Sequence, residues 1–209
     1  MTVPVEVIVE HPRGGGLVFD ALAAGPVSGE PVLLLHGFPQ TARCWVHQLE
    51  ALAAAGRRAL ALTQRGYSPR ARPVDVEAYA MAELVGDVLA VADQLGWDRF
   101  DLVGHDWGGA VAWQVAGRHP ERLRTLTVLS TPHPRAFAEA LAQPEGSQRQ
   151  RSSYIDLLRA EDAETGLLAN DAAGLRMLFA GSGMPEEEAR PYLQALATAE
   201  ALSGALNWY

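Results

Sequence analysis

One short segment carries the strongest chemical signal. Gly104-His105-Asp106-Trp107-Gly108-Gly109 follows an apolar run, Phe100 to Val103, and opens a stretch with helical spacing. It fits the pattern G-x-Nu-x-G, with a carboxylate at the nucleophile position. A nucleophile on a sharp strand-to-helix turn is projected clear of the sheet. Glycines on either side remove Cβ atoms that would clash in such a turn. The helix beneath offers unsatisfied N–H groups and the positive end of its dipole, which favour an ionised carboxylate. A plainer alternative uses the same residues: an Asp that caps a helix after a Gly-rich turn. The G-x-G-x-x-G dinucleotide fingerprint does not fit, because Asp106 stands where its second glycine would fall.

A second segment, His36-Gly37-Phe38-Pro39-Gln40, directly follows the apolar run Val32 to Leu35. In a hydrolase built on an elbow of this kind, the loop after that strand supplies one N–H of an oxyanion hole. The residue after the nucleophile supplies the other. Those donors are here the backbone N–H groups of Phe38 and Trp107. A carboxylate nucleophile suits attack at an sp³ carbon and, being already charged, needs no base for that step. The product is an ester on Asp106, which water must then open.

His36-Gly37-Phe38-Pro39 together with Gly104 to Gly109 resembles the epoxide-hydrolase and haloalkane-dehalogenase branch of the α/β-hydrolase superfamily. Arg65-Gly66-Tyr67-Ser68 is similar to a loop of that branch, with Gln64 in place of the acidic residue usually found before it. Ser130-Thr131-Pro132-His133-Pro134 resembles the segment leading into the family's cap. The likeness covers about residues 14–134 and, more loosely, the cap. It implies an α/β fold with a mostly parallel sheet, helices on both faces and a helical cap. It also implies two cap tyrosines that donate to an epoxide oxygen. Tyr154 and Tyr209 match, Tyr209 the better because Leu206-Asn207-Trp208-Tyr209 agrees around it. The bland reading of each is an amphipathic side chain at a helix surface. His36, Pro39, His105 and His133 are expected to border the substrate pocket. Trp107 packs beside the nucleophile, and in a dehalogenase its indole N–H would hold the halide.

The resemblance implies a small epoxide or halide substrate and no cofactor. Haloalkane or haloacid dehalogenation is the alternative reaction. Phe38 and Trp107 argue against it. Haloalkane dehalogenases generally carry Asn at the first of these places, and fluoroacetate dehalogenase usually carries Arg at the second. A non-catalytic binding protein on a hydrolase scaffold is the alternative of another class. The second half-reaction needs a histidine and an acid, which in this superfamily follow the nucleophile in the order acid, then histidine. No such pair is visible after Asp106. His133 sits at the cap entrance without a matching acid, and His119 precedes Pro120 at a helix end. The expectation is a chain that lacks the last strands of the core and does not turn over alone. A second polypeptide, or a swapped copy, would then cover the strand Leu123 to Leu129.

The elements that position these motifs follow from spacing. Apolar runs predict strands at Val5 to Val9, Leu17 to Leu22, Val32 to Leu35, Arg58 to Leu62, Phe100 to Val103 and Leu123 to Leu129. A Gly- and Pro-rich turn is expected from His11 to Gly16. Helical spacing predicts helices over Trp45 to Ala55, from an N-cap at Asp75 to Leu95, and over Gly108 to Arg118. The alternation implies a mostly parallel sheet. From Arg135 onward no strand is convincing, so residues 1–134 are expected to form the core and 135–209 a helical cap.

Composition excludes several classes. Of 209 residues, 48% are apolar and 20% charged, which suits a packed core rather than disorder. A net charge of −8 disfavours binding to nucleic acid. The single cysteine, Cys44, rules out an intrachain disulfide. No apolar run approaches the ~20 residues of a membrane span, and no signal peptide is visible. These readings make a cytoplasmic location the expectation, with no metal constellation.

Overall fold

Strand formation here follows from apolar residues on both sides of short segments. In Pro31–Leu35 (β3), Val32 and Leu34 face one way and Leu33 and Leu35 the other, all buried. Arg58–Leu62 (β4) does the same with Ala59 and Ala61 against Leu60 and Leu62. Such strands need cover on both faces. The computed structural model, which describes residues 1–10 and 16–209, places two apolar clusters on the two sides of one sheet. The turn expected from His11 lies outside the described residues.

The remaining strands are Val3–Glu10 (β1), Gly16–Ala24 (β2), Phe100–His105 (β5) and Leu123–Leu129 (β6). The sheet has six strands in the order β1-β2-β4-β3-β5-β6. β1 with β2 and β2 with β4 are antiparallel, and the other pairs are parallel. Val46–Ala54 (α1) covers one face, with Leu49 buried against Val32, Leu34, Ala59 and Ala61. Met81–Gln94 (α2) and Trp107–Arg118 (α3) cover the other, setting Val88, Val91, Val111 and Val115 against Leu33, Leu60 and Leu102.

The long helix expected from Asp75 is divided. Val76–Tyr79 forms a 3-10 turn, Ala80 is extended at ψ 145°, and only then does α2 begin. The Asp75 side chain caps nothing. Two bonds hold the turn out of line with the helix. The buried Tyr79 donates its hydroxyl to Pro73 O at 2.9 Å, and the Arg65 guanidinium donates to Ala78 O at 2.9 Å.

After β6 the chain is helical: Pro134–Ala142 (α4), the single turn Gln148–Arg151 (α5), Tyr154–Leu158 (α6), Ala163–Gly181 (α7), Glu186–Ala195 (α8) and Ala199–Leu206 (α9). α7 is broken at Ala169 to Ala172, where Asn170 and Asp171 take left-handed φ. Leu175, Phe179, Leu193, Leu196 and Leu202 join the cluster that holds Leu33 and Leu62. The last helix sits directly on a core loop. A Cβ on Gly66 would lie 2.1 Å from Gly204 O, so this contact requires glycine, as does the Gly66 φ of +83°. The Trp208 indole N–H donates to Arg65 O at 2.9 Å. Beneath it Arg65 and Asp87 pair through two bonds, at 2.7 and 2.6 Å, both side chains buried.

Register decides where the loops go. Leu35 pairs with Gly104, and His105 with Leu129, so β3, β5 and β6 end at one edge. The segments after them, at 36–40, 106–107 and 130–134, therefore meet there, where open α/β sheets bind ligands. Among the described residues β6 has only β5 as a strand neighbour. No helix among them is long and apolar enough to cross a membrane.

Candidate active site

Asp106 occupies a backbone position that few non-glycine residues adopt, φ 52° and ψ −121°. Its surroundings hold it there. Its N–H donates to Leu129 O at 3.3 Å, and its carbonyl accepts from Ala110 N at 3.0 Å and from the Thr131 hydroxyl at 2.7 Å. Its carboxylate Oδ1 accepts the Phe38 N–H at 2.9 Å. The approach of the two loops is so close that a Cβ on Gly37 would meet Asp106 Cβ at 2.3 Å.

His36 builds this loop from behind. It is fully buried. Its Nε2 accepts the Gln64 N–H at 3.1 Å, which leaves Nδ1–H to donate to Gly37 O at 3.0 Å. The Gln64 side chain, in the position where the resembled loop has an acid, donates to His36 O at 2.6 Å. Burial pushes the imidazole pKa down to about 4. His36 thus fixes the loop as a neutral ring and borders neither cavity at Asp106, contrary to the pocket role expected of it.

Two cavities meet at Asp106. One, of about 510 Å³, runs between α3, the segment after β6 and the start of the helical layer, past Ser130, Thr131, Phe137 and Ile155. The other, of about 390 Å³, passes Phe38, Pro39, His105, Leu158, Leu178 and Phe179. Asp106, Tyr154 and Tyr209 border both. Tyr209 packs edge-on against Phe38 and Trp107, at 5.6 and 5.2 Å between ring centres. Burial, then the charge of Asp106, push its phenol well above the ordinary range, and a bond from the Trp107 indole N–H opposes them. Tyr154, 45% exposed, is shifted the same way by burial and by Asp106. Both hydroxyls therefore stay protonated beside a carboxylate.

His133 stands elsewhere. It is exposed, its Nδ1 accepts the Arg135 N–H at 3.2 Å to cap α4, and its ring meets Trp113 edge-on at 5.0 Å. It borders neither cavity, so the pocket role expected of it does not match its position. Ser130, Phe137, Gln148, Arg151 and Phe179 border the site without having been singled out by sequence. Ser130 opens the segment that resembles the family's cap entrance, but its left-handed φ of 56° has no sequence signal in a serine. The others belong to helices whose inward face depends on packing. A larger cavity, about 690 Å³, lies between β2 and α8 with Arg43 and Arg72 on its wall, away from Asp106. Among the described residues no group of His, Cys, Asp or Glu could hold a metal ion.

The family model for the alpha/beta hydrolase fold matches residues 30–172. The chain belongs to the α/β-hydrolase family. Within it, the relatives point to the epoxide hydrolase branch. The chain is 34% identical over 199 residues to the AB hydrolase superfamily protein YfhM of Bacillus subtilis, covering 93% of this chain and 69% of that protein. It is 32% identical over 206 residues to Epoxide hydrolase 4 of Mus musculus, covering 94% of this chain and 57% of that protein. Among solved structures, a mutant epoxide hydrolase from Bacillus megaterium complexed with a naphthyloxy-propanediol product superposes with a TM-score of 0.84 at 26% identity. That match covers 97% of this chain and 70% of the other. This α/β-hydrolase chain thus spans between 57% and 70% of the length of these relatives.

Proposed function

We propose that this chain opens epoxides by nucleophilic attack of Asp106, forming an ester that water hydrolyses to a diol. The observation that carries the reading is the convergence of three groups: a carboxylate on a strained elbow, a backbone N–H on its Oδ1, and two protonated tyrosines bordering the same space. Oδ1 is held by Phe38, which leaves Oδ2 to attack. A bond forms from Oδ2 to an epoxide carbon, and the carbon–oxygen bond on its far side breaks. The departing oxygen takes a proton from Tyr154 or Tyr209, and the phenolate regains one from solvent. A neutral phenol suits this role, since the raised pKa keeps the proton in place until the oxygen becomes basic. Water then attacks the ester carbon, and the bond from that carbon to Oδ2 breaks. The diol leaves with Oδ2 and one of the water's protons. The other proton returns to solvent, and the water's oxygen completes the Asp106 carboxylate. The oxyanion that develops on the former Oδ1 is met by the N–H groups of Phe38 and Trp107.

The second step needs a base. Among the described histidines near the site, His36 is engaged on both ring nitrogens, His133 caps a helix outside the cavity, and His105, on the wall of the narrower cavity, has no described acid bonded to it. We therefore place the slow step at ester hydrolysis and expect the ester to accumulate. Incubation with styrene oxide followed by intact and peptide mass measurement tests this. The expected adduct sits on Asp106 and weighs as much as the whole epoxide, because ring opening expels nothing. Many turnovers without an adduct overturn the slow step, and neither adduct nor diol overturns the proposal. Dehalogenation is the weaker reading, since the Trp107 ring that would hold a halide packs edge-on against Tyr209 at 5.2 Å between ring centres.

The β6 edge is proposed as the docking edge for further strand, supplied by another chain or a second copy. Size-exclusion chromatography with light scattering tests this. A monomer that stays soluble across a wide concentration range contradicts it.

A further inference from the structure

The wider of the two cavities at Asp106 has an uneven distribution of charge. Arg151, also open to solvent, contributes to its wall together with Gln148, Ser152, Tyr154 and Ile155 of the same helical stretch. The reason is spacing. Ser152 and Ser153 keep near-helical angles, φ −93° ψ 0° and φ −63° ψ −22°, so α5 winds almost continuously into α6. Positions 148, 151, 152 and 155 then fall at i, i+3, i+4 and i+7, one face of a helix. Tyr154, one turn beyond Arg151, reaches the junction with Asp106. Arg151, which borders only the wider cavity, lies about 4.5 Å back along the helix axis from Tyr154.

Arg151 has donors to spare. Its one side-chain bond among the described residues is from Nε to Ser147 Oγ, at 3.3 Å, and no described carboxylate stands within ion-pair distance of it. Its neighbours in this part of the chain are committed: Arg135 pairs with Glu139, and Arg149 donates to Leu141 O. Beside Arg151, the Gln148 amide donates to Ser152 Oγ at 3.0 Å and keeps a second N–H. The outer end of this arm therefore presents donors and a positive charge. The inner end presents Asp106, the one acid among the described residues of its wall. The other arm ends on Leu158, Leu178 and Phe179, with no lysine or arginine among the described residues of its wall.

We propose that the wider arm is a subsite for an anionic substituent, so that this chain takes epoxides bearing a carboxylate a few bonds from the ring. The carboxylate is received by the Arg151 guanidinium with the Gln148 amide, and a second, apolar substituent enters the narrower arm. This deepens the reading of Asp106 as the nucleophile and rests on it. An arginine fork matches a carboxylate through two parallel bonds, which fixes orientation as well as position. Anchoring there would set which epoxide carbon faces Oδ2. With a net charge of −8 the molecule as a whole repels anions. Selection of an anionic substrate therefore depends on this local cation.

The test compares an oxiranylbutanoate with its methyl ester, following adduct formation on Asp106 by intact mass in the full chain, in Arg151→Gln and in Arg151→Lys. The acid is expected to react about tenfold faster than the ester in the parent. The acid-to-ester ratio should collapse to about one in R151Q, be partly restored in R151K, and fall with added salt. An equal rate for acid and ester in the parent, or an unchanged ratio in R151Q, overturns the subsite while leaving the nucleophile intact. Binding of the corresponding dihydroxy acid and its ester, measured by calorimetry, separates the two readings. If no epoxide forms an adduct but the acid diol binds in an Arg151-dependent way, the subsite stands and the nucleophile fails.

Discussion

The Phe38 N–H and the Asp106 carboxylate meet at 2.9 Å across 68 residues of chain. That bond fixes which carboxylate oxygen is occupied and which is free. Asp106→Asn keeps an oxygen that can accept it, so the fold should survive with a loss of about 1 kcal/mol or less, the difference between charged and neutral acceptors. The amide is a far poorer nucleophile. Adduct formation with styrene oxide should fall by at least ~1,000-fold, because the attacking charge is gone. Thermal unfolding beside mass-detected alkylation checks both halves. A D106N chain that alkylates at the parent rate places the nucleophile elsewhere.

Gly37 faces the same carboxylate. Gly37→Ala puts a methyl 2.3 Å from Asp106 Cβ, closer than real Cβ contacts come, so the elbow or the loop must give. The cost should be about 1–3 kcal/mol, as for other overpacked sites. The alkylation rate should drop ~100-fold, since a displacement near ~1 Å at a nucleophile has that effect. A G37A chain with parent stability and rate would show that the two loops are less closely fitted than that distance implies.

The sheet, its helices and the two motifs at its edge were legible because each rests on local pattern. β4 and β6 carry the limits that spacing predicts, Arg58–Leu62 and Leu123–Leu129. The divided helix after Asp75 was not legible. A hydroxyl from Tyr79 and a guanidinium from Arg65 divide it, contacts that periodicity does not encode. The same holds for His36 and His133. Sequence places both beside the motifs, but only the fold turns His36 inward against Gln64 and His133 outward over α4. Tyr209 was found through the residues around it. Arg151 was not, because its helix has no inward face until it packs.

Tyr209 is steadied at some distance by a buried ion pair. Asp87 grips Arg65, and the Arg65 carbonyl accepts the Trp208 indole N–H next to Tyr209. Asp87→Ala leaves the buried guanidinium without its carboxylate and should cost about 3–5 kcal/mol. Trp208→Phe removes only the indole N–H and part of the ring. It should cost about 1–3 kcal/mol and slow alkylation by epoxides several-fold as Tyr209 loosens. Chemical denaturation of both variants and the alkylation rate of W208F measure this. A W208F rate equal to the parent's would detach Tyr209 from this chain of contacts.

His36 makes stability depend on mild acid. Its ordinary pKa is 6.5, and in the folded chain burial lowers it to about 4. The unfolded chain therefore binds the proton more readily between those values. The contribution is fully present above pH 6.5 and is lost as pH falls toward 4, amounting to about 3 kcal/mol at the lower limit. Unfolding by urea at several pH values should show the decline. Because His36 holds the Phe38 loop, alkylation should weaken over the same range as the loop opens. Stability that is flat from about pH 7 to pH 4 would mean that the ring is not buried as a neutral group.

The tyrosines act at the other end of the scale. All five in the sequence, Tyr67, Tyr79, Tyr154, Tyr192 and Tyr209, have phenols raised above the ordinary value of 10, chiefly by burial, with Tyr79 and Tyr192 at about 12. A raised folded pKa gives stability that is complete below about pH 10 and is lost as pH climbs above it. Phenolate absorbance should therefore stay low in the folded chain at about pH 10. At higher pH it should rise together with loss of helical circular dichroism, because the most buried hydroxyls ionise only as the structure opens. Tyr154, the most exposed of the five, should titrate first. The donors beside Asp106 would then keep their protons throughout the neutral range, and the alkylation rate should show no alkaline decline below about pH 10. A decline near about pH 8 would require a donor other than these two tyrosines.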